Sequence, residues 1–190
     1  MDLRKTSLTI GFLSSPHQPR ETNYEYQYIV LQKYLEQRLG DRVKEIFIKT
    51  GSSLSSQEMQ NQIASKEFDI VFAYSPINSW VAKKKGYIWL GNQNPSASVY
   101  YRSALFVRAD SPIQSISDLK TTTKIALGPI GSASSFYVPV YELYGKSLTV
   151  IRDKSHGEIQ NLVKTGKVDV GASTESAIEN KPEFKIIHSS

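Results

Sequence analysis

The sequence predicts an α/β protein built as two similar lobes. Three observations point there. Apolar runs of strand length alternate with helix-period segments along nearly all of the 190 residues. The most linker-like stretch, Asn92-Gln93-Asn94-Pro95-Ser96-Ala97-Ser98, lies near the middle, and the same alternation restarts after it. Two segments also echo each other. Lys66-Glu67-Phe68-Asp69-Ile70-Val71 and Gly166-Lys167-Val168-Asp169-Val170-Gly171 both run from a helix end through an aspartate into a buried strand.

The first half reads as βαβαβα. Leu8 to Leu13 is an apolar strand. Tyr24, Tyr28, Leu31, Leu35 and Leu39 then recur at helical spacing, with Gly40 as the stop. Val43 to Ile48 is a second strand. Ser55 with Glu58 forms a capping box ahead of a helix carrying Met59 and Ile63. Phe68 to Ala73 is a third strand, and Ser75-Pro76 supplies a cap and first-turn proline for a helix closed by Gly86. Tyr87 to Leu90 reads as a short fourth strand.

In the second half, Tyr101 to Val107 is a strand, Ser117 to Lys120 a helical turn, and Lys124 to Leu127 a buried strand. After it comes Gly128-Pro129-Ile130-Gly131-Ser132-Ala133-Ser134-Ser135, with two glycines and three serines. This runs into an apolar helix from Phe136 to Tyr144, closed by Gly145. Leu148 to Arg152 follows as a strand. Ser155 with Glu158 forms another capping box, for a helix carrying Ile159, Leu162 and Val163 and ending at Gly166. Val168 to Ala172 is a further strand.

The 128–135 segment carries the most chemistry. A helix N-terminus leaves up to four backbone N–H groups without helical partners, and its dipole favours negative charge. Small side chains admit an anion to those groups, and serine hydroxyls add donors. A plain reading stands beside this one, with one serine as the N-cap and the others as loop residues. The Gly-Lys-Ser/Thr ending of a nucleotide-binding loop is absent.

Composition excludes several classes. There is no cysteine, hence no disulfide or thiolate metal site, and no run of the roughly 18 apolar residues that span a bilayer. Net charge is +5, but the basic residues are scattered. Lys83-Lys84-Lys85 is the only run and suits a helix C-terminus. No aromatic RNA-binding motif accompanies the 11 tyrosines, so nucleic acid is not an expected partner. No carboxylate pair, metal-ligand spacing or Ser-His-Asp order marks an enzyme, and neither a catalytic residue, a metal site nor a cofactor is expected. The N-terminus lacks a signal-peptide pattern, which leaves a cytoplasmic protein or one whose leader has been removed.

Four stretches together resemble the phosphate/phosphonate-binding family of ABC-importer substrate-binding proteins, within the type 2 periplasmic binding protein fold. They are Tyr100 to Ile113 with Ser115 to Lys120, Gly128 to Pro139, Ser155 to Glu158 with Gly166 to Ala172, and Phe68 to Ala82. The resemblance implies lobe one over 1–97, lobe two over 98–184, a strand at 185–190 returning toward lobe one, and a ligand cleft between the lobes. It implies that Ser132 and Ser134, with the amides of Ala133 and Ser135, hold an oxyanion that His156 reaches from the neighbouring loop. Tyr74, Ser75 and Tyr100 would close the cleft from the other side, with Trp80 either there or in the core. Asp169 would either face the cleft or cap its strand.

The ligand expected is a phosphonate, a phosphate or a related small oxyanion, bound by a monomer that delivers it to an ABC permease. The alternative is a ligand-sensing domain with a signalling partner. The resemblance implies an extracytoplasmic, periplasmic location, with membrane association only through a leader or anchor outside this sequence. Family members usually continue with a crossover and C-terminal helices, so the resemblance implies a shortened natural member, a truncated product or a domain cut from a longer receptor. Ala133 stands where the family has threonine and Ser135 where it has glycine. The stretch Thr50 to Ser56 lacks the aromatic residue expected there.

Overall fold

Gly11 sets the closeness of packing in the first half. A Cβ on it would lie 2.6 Å from the Phe68 ring. It sits in β1 (Ser7–Leu13), where Ile10 and Phe12 face one side of the sheet and Leu13 the other. In the computed structural model, which describes residues 7–13, 24–51, 54–73, 75–91 and 102–190, the chain divides into two units, Met1–Gln93 and Asn94–Ser190.

In unit one, β1 is the centre of a parallel sheet in the order β2-β1-β3, with β2 at Glu45–Thr50 and β3 at Ile70–Ala73. Helix α1 (Tyr24–Leu39) lays Tyr28, Leu31, Leu35 and Leu39 over Ile10, Phe12 and Ile46. Helices α2 (Ser56–Ala64) and α3 (Pro76–Lys84) cover the other face through Met59, Ile63 and Ala82. The capping box at Ser55 and Glu58 forms, and the Ser55 hydroxyl and amide together hold the Glu58 carboxyl below its ordinary range.

Residues 87–90 do not form the expected strand. Tyr87 is tied down, its hydroxyl donating to the Phe68 carbonyl at 2.8 Å. Ile88, Trp89 and Leu90 are 76–84% exposed and have no strand partner among the described residues. Their apolar character made them look like a buried strand, but no described strand pairs with them.

Unit two holds a five-stranded sheet in the order β6-β5-β7-β4-β8. The strands are β4 (Ser103–Arg108), β5 (Lys124–Ala126), β6 (Thr149–Ile151), β7 (Val170–Thr174) and β8 (Phe184–Ser189). β5 is parallel to β6 and β7, whereas β4 runs antiparallel to β7 and β8. On one face Leu105, Val107, Ile125 and Val170 pack with Leu143 near the end of α4 (Val138–Glu142). On the other, Phe106 and Ala126 meet Ile159 and Val163 of α5 (His156–Lys164).

The two units repeat one construction. The order β6-β5-β7 matches β2-β1-β3, and capping boxes at Ser55/Glu58 and Ser155/Glu158 open α2 and α5. Each of those helices is followed by a left-handed residue, Lys66 at φ 59° and Gly166 at φ 69°. Then Asp69 Oδ2 accepts the Thr9 amide at 2.8 Å, and Asp169 Oδ2 accepts the Lys124 amide at 2.7 Å. Each aspartate thus ties the chain ahead of its strand to the start of the central strand. The echo in the sequence is a shared structural device.

Candidate functional site: the serine turn after β5

The chain leaves β5 through Leu127 and Gly128 and turns at Gly131, whose φ of 106° favours glycine. Residues Ala133–Tyr137 wind as a wide π-turn that continues into α4. Pro139 helps explain this geometry. A proline has no N–H to give the carbonyl four residues back, here Ser135. The Gly128 amide donates to that carbonyl instead, at 2.8 Å, closing the turn on itself. The Tyr137 amide reaches back to the Ser132 carbonyl at 3.0 Å, the five-residue spacing of a π-turn. The sequence placed the start of this helix at Phe136. The structure begins it at Ala133, so the serines lie in its first turn.

Ser132 is the N-cap. Its Oγ accepts the Ser135 amide at 3.2 Å and the Ser135 hydroxyl at 2.6 Å. Ser134 and Ser135 are buried, while Ser132 and Ala133 are half-buried. The Ser134 carbonyl accepts the Ser103 hydroxyl at 2.8 Å, which fixes the turn to the start of β4. The amides of Ala133 and Ser134 occupy the first two positions, where a helix supplies no acceptor. The Ser135 amide, which the resemblance implied among the anion donors, donates in this structure to Ser132 Oγ at 3.2 Å, and the amides of Ala133 and Ser134 have no acceptor within the turn.

His156 opens α5 directly after its cap, Ser155. The preceding loop is joined to the end of β5 by the Lys154 amide, 3.3 Å from the Leu127 carbonyl. His156 Nδ1 lies 2.8 Å from the hydroxyl of Ser173, a fully buried residue of β7. Ser173 is in register with Ala104, next to the Ser103 that holds the serine turn. Ser132, Ala133, Ser134, Ser135 and His156 are therefore gathered at one end of the unit-two sheet, beyond the carboxyl ends of β5 and β7. Such ends are the usual ligand-binding position of α/β sheets.

Ser103 and Ser173 were not recognised from sequence. Each sits within an apolar strand, and only the paired strands show that its hydroxyl points to this end of the sheet. Asp169 lies at the opposite end of β7, bonded to the Lys124 amide, which is the strand-capping role. Ser75 caps α3, accepting the Ile77 amide at 3.3 Å. Trp80 is 59% exposed, so it is not core. Tyr74 and Tyr100 lie outside the described residues. Among the described residues, no three His, Asp or Glu side chains group as a metal site. Among the described residues, no helix is long and apolar enough to cross a membrane.

Comparison with known proteins gives the fold a context. A Xanthomonas citri protein bound to chloride ion superposes with a TM-score of 0.74 at 18% identity, covering 98% of this chain and 74% of that one. The binding protein component of an ABC phosphonate transporter from Pseudomonas aeruginosa gives a TM-score of 0.64 at 20% identity, with coverages of 97% and 65%. The periplasmic aliphatic sulphonate binding protein of Escherichia coli gives 0.57 at 16%, with coverages of 97% and 60%. The chain thus spans between three fifths and three quarters of the length of these solved structures. These likenesses establish the periplasmic-binding-protein fold. No curated protein sequence matches the chain. The model of the family described as "ABC transporter, phosphonate, periplasmic substrate-binding protein" matches residues 14–190. With nearly the whole length matched, and the serine turn and His156 loop inside it, the chain belongs to the family of periplasmic substrate-binding proteins of phosphonate ABC transporters.

Proposed function

We propose that the chain is the substrate-binding component of an ABC importer and takes a small tetrahedral oxyanion, a phosphonate or phosphate, on the serine turn. The observation that carries this reading is the convergence at one sheet end of the Ser132 cap, the leftover Ala133 and Ser134 amides, and His156. Desolvating an anion is tolerable only where donors replace its water, and each charge-assisted hydrogen bond contributes about 1.5–3 kcal/mol net. His156 donates a ring N–H to the anion. A membrane permease receives the ligand. Sulfonate enters as a competing ligand, since the Escherichia coli neighbour is an aliphatic sulphonate binding protein.

A thermal-shift screen of the purified chain against methylphosphonate, phosphate, phosphite, sulfate and methanesulfonate tests the reading. A ligand that binds only the native state raises the melting temperature with concentration. The expected result is a shift with methylphosphonate or phosphate that chloride at equal ionic strength does not give. No shift with any oxyanion rejects the function.

A further inference from the structure

We infer that Ser135 is a specificity-determining positioning residue, which turns the Ser132 hydroxyl into a dedicated donor and so selects for an unprotonated oxygen at that point. This rests on the oxyanion-receptor reading above. A serine hydroxyl has one proton to give and two lone pairs to receive. Ser132 Oγ already accepts twice, from the Ser135 amide at 3.2 Å and from the Ser135 hydroxyl at 2.6 Å. Its own proton is the one capacity left to offer a ligand.

Ser135 is well placed to enforce this. It is 1% exposed, so water does not compete for its hydroxyl. Its carbonyl is fixed by the Gly128 amide at 2.8 Å. Its Oγ fills the space where a side chain on residue 128 would begin, 2.0 Å from the position of a Cβ there. The amides of Ala133 and Ser134 are donors only, as all backbone N–H groups are. An oxygen that bears a proton needs an acceptor, and Ser132 has none to give. A sulfonate presents only acceptor oxygens, and so does a fully ionised phosphonate. A singly protonated phosphonate must turn its P–OH elsewhere.

The test is calorimetric titration of methylphosphonate and methanesulfonate across the second ionisation of the phosphonate, with wild type, Ser135→Ala, Ser135→Gly and Ser132→Ala. The ratio of the two affinities at each pH cancels titration of the protein's own groups. In wild type the ratio should rise toward phosphonate as pH rises. In Ser135→Ala the rise should flatten, because the freed Ser132 oxygen can accept from P–OH. Ser135→Gly, which removes the same hydroxyl, should flatten it too and serves if the alanine variant fails to fold. Ser132→Ala should weaken both ligands roughly ten- to a hundred-fold, the loss of one charge-assisted bond. A ratio with the same pH profile in wild type and both Ser135 variants overturns the inference while leaving the receptor reading intact. Unchanged affinity in Ser132→Ala, or no binding of either ligand to wild type, overturns both.

Discussion

His156 Nδ1 is held 2.8 Å from the buried hydroxyl of Ser173, one strand away from the serine that anchors the 132–135 turn. This bond gives the ring a fixed orientation at the end of the sheet. It also explains why a buried serine is useful in the otherwise apolar stretch of β7, since its partner is a side chain from the preceding helix, α5.

Replacing Ser173 with alanine should therefore weaken oxyanion binding through His156 without touching the ligand. Loss of one ordinary hydrogen bond corresponds to about 0.5–1.5 kcal/mol, roughly a two- to ten-fold rise in Kd. Calorimetry on Ser173→Ala checks this, with the double variant Ser173→Ala/His156→Ala as control. If Ser173 acts through the ring, the double variant binds no more weakly than His156→Ala alone.

Gly128→Ala should damage both fold and site. The new methyl would sit 2.0 Å from Ser135 Oγ and 2.8 Å from its Cβ, contacts that neither buried group can tolerate. Overpacking of this kind costs about 1–3 kcal/mol. Urea unfolding should show the loss of stability, and oxyanion affinity should fall with it as the Ser132–Ser135 bond is displaced.

Asp169→Ala separates a structural carboxylate from a ligand contact. Its Oδ2 accepts the Lys124 amide at 2.7 Å. Truncation should cost about 0.5–1.5 kcal/mol of folding stability, measured by denaturant, with oxyanion affinity unchanged at temperatures where the variant is folded. A drop in affinity with no loss of stability would place the carboxylate in the binding site instead.

Lys66→Gly should stabilise unit one. Lys66 holds φ at 59°, where its counterpart in unit two is Gly166 at 69°. Relief of left-handed strain outweighs the extra chain entropy of glycine, giving an expected gain of about 0.5–1 kcal/mol in chemical denaturation.

Much of this was legible in the residues. Ser55/Glu58, Ser75-Pro76 and Ser155/Glu158 marked helix starts because capping is local chemistry, and Gly40, Gly86 and Gly166 marked ends for the same reason. The doubled architecture was visible in the Asp69 and Asp169 segments. What escaped depends on partners distant in sequence. The run Tyr87 to Leu90 has strand chemistry but no strand to pair with among the described residues. Ser103 and Ser173 gain their roles only when β4 and β7 pair, and the use of the Ser135 amide by Ser132 follows from the π-turn, which residue preferences did not foretell. The identity of the anion is less legible still, because Ala133 and Ser135 replace the threonine and glycine that the resemblance led us to expect.

The most direct measurement is isothermal titration of methylphosphonate and of phosphate into wild type, Ser132→Ala and His156→Ala. Saturable one-to-one binding to the wild-type chain, weakened roughly ten-fold or more by each substitution, is the predicted result. Binding that neither substitution alters would place the ligand elsewhere and contradict the serine-turn site.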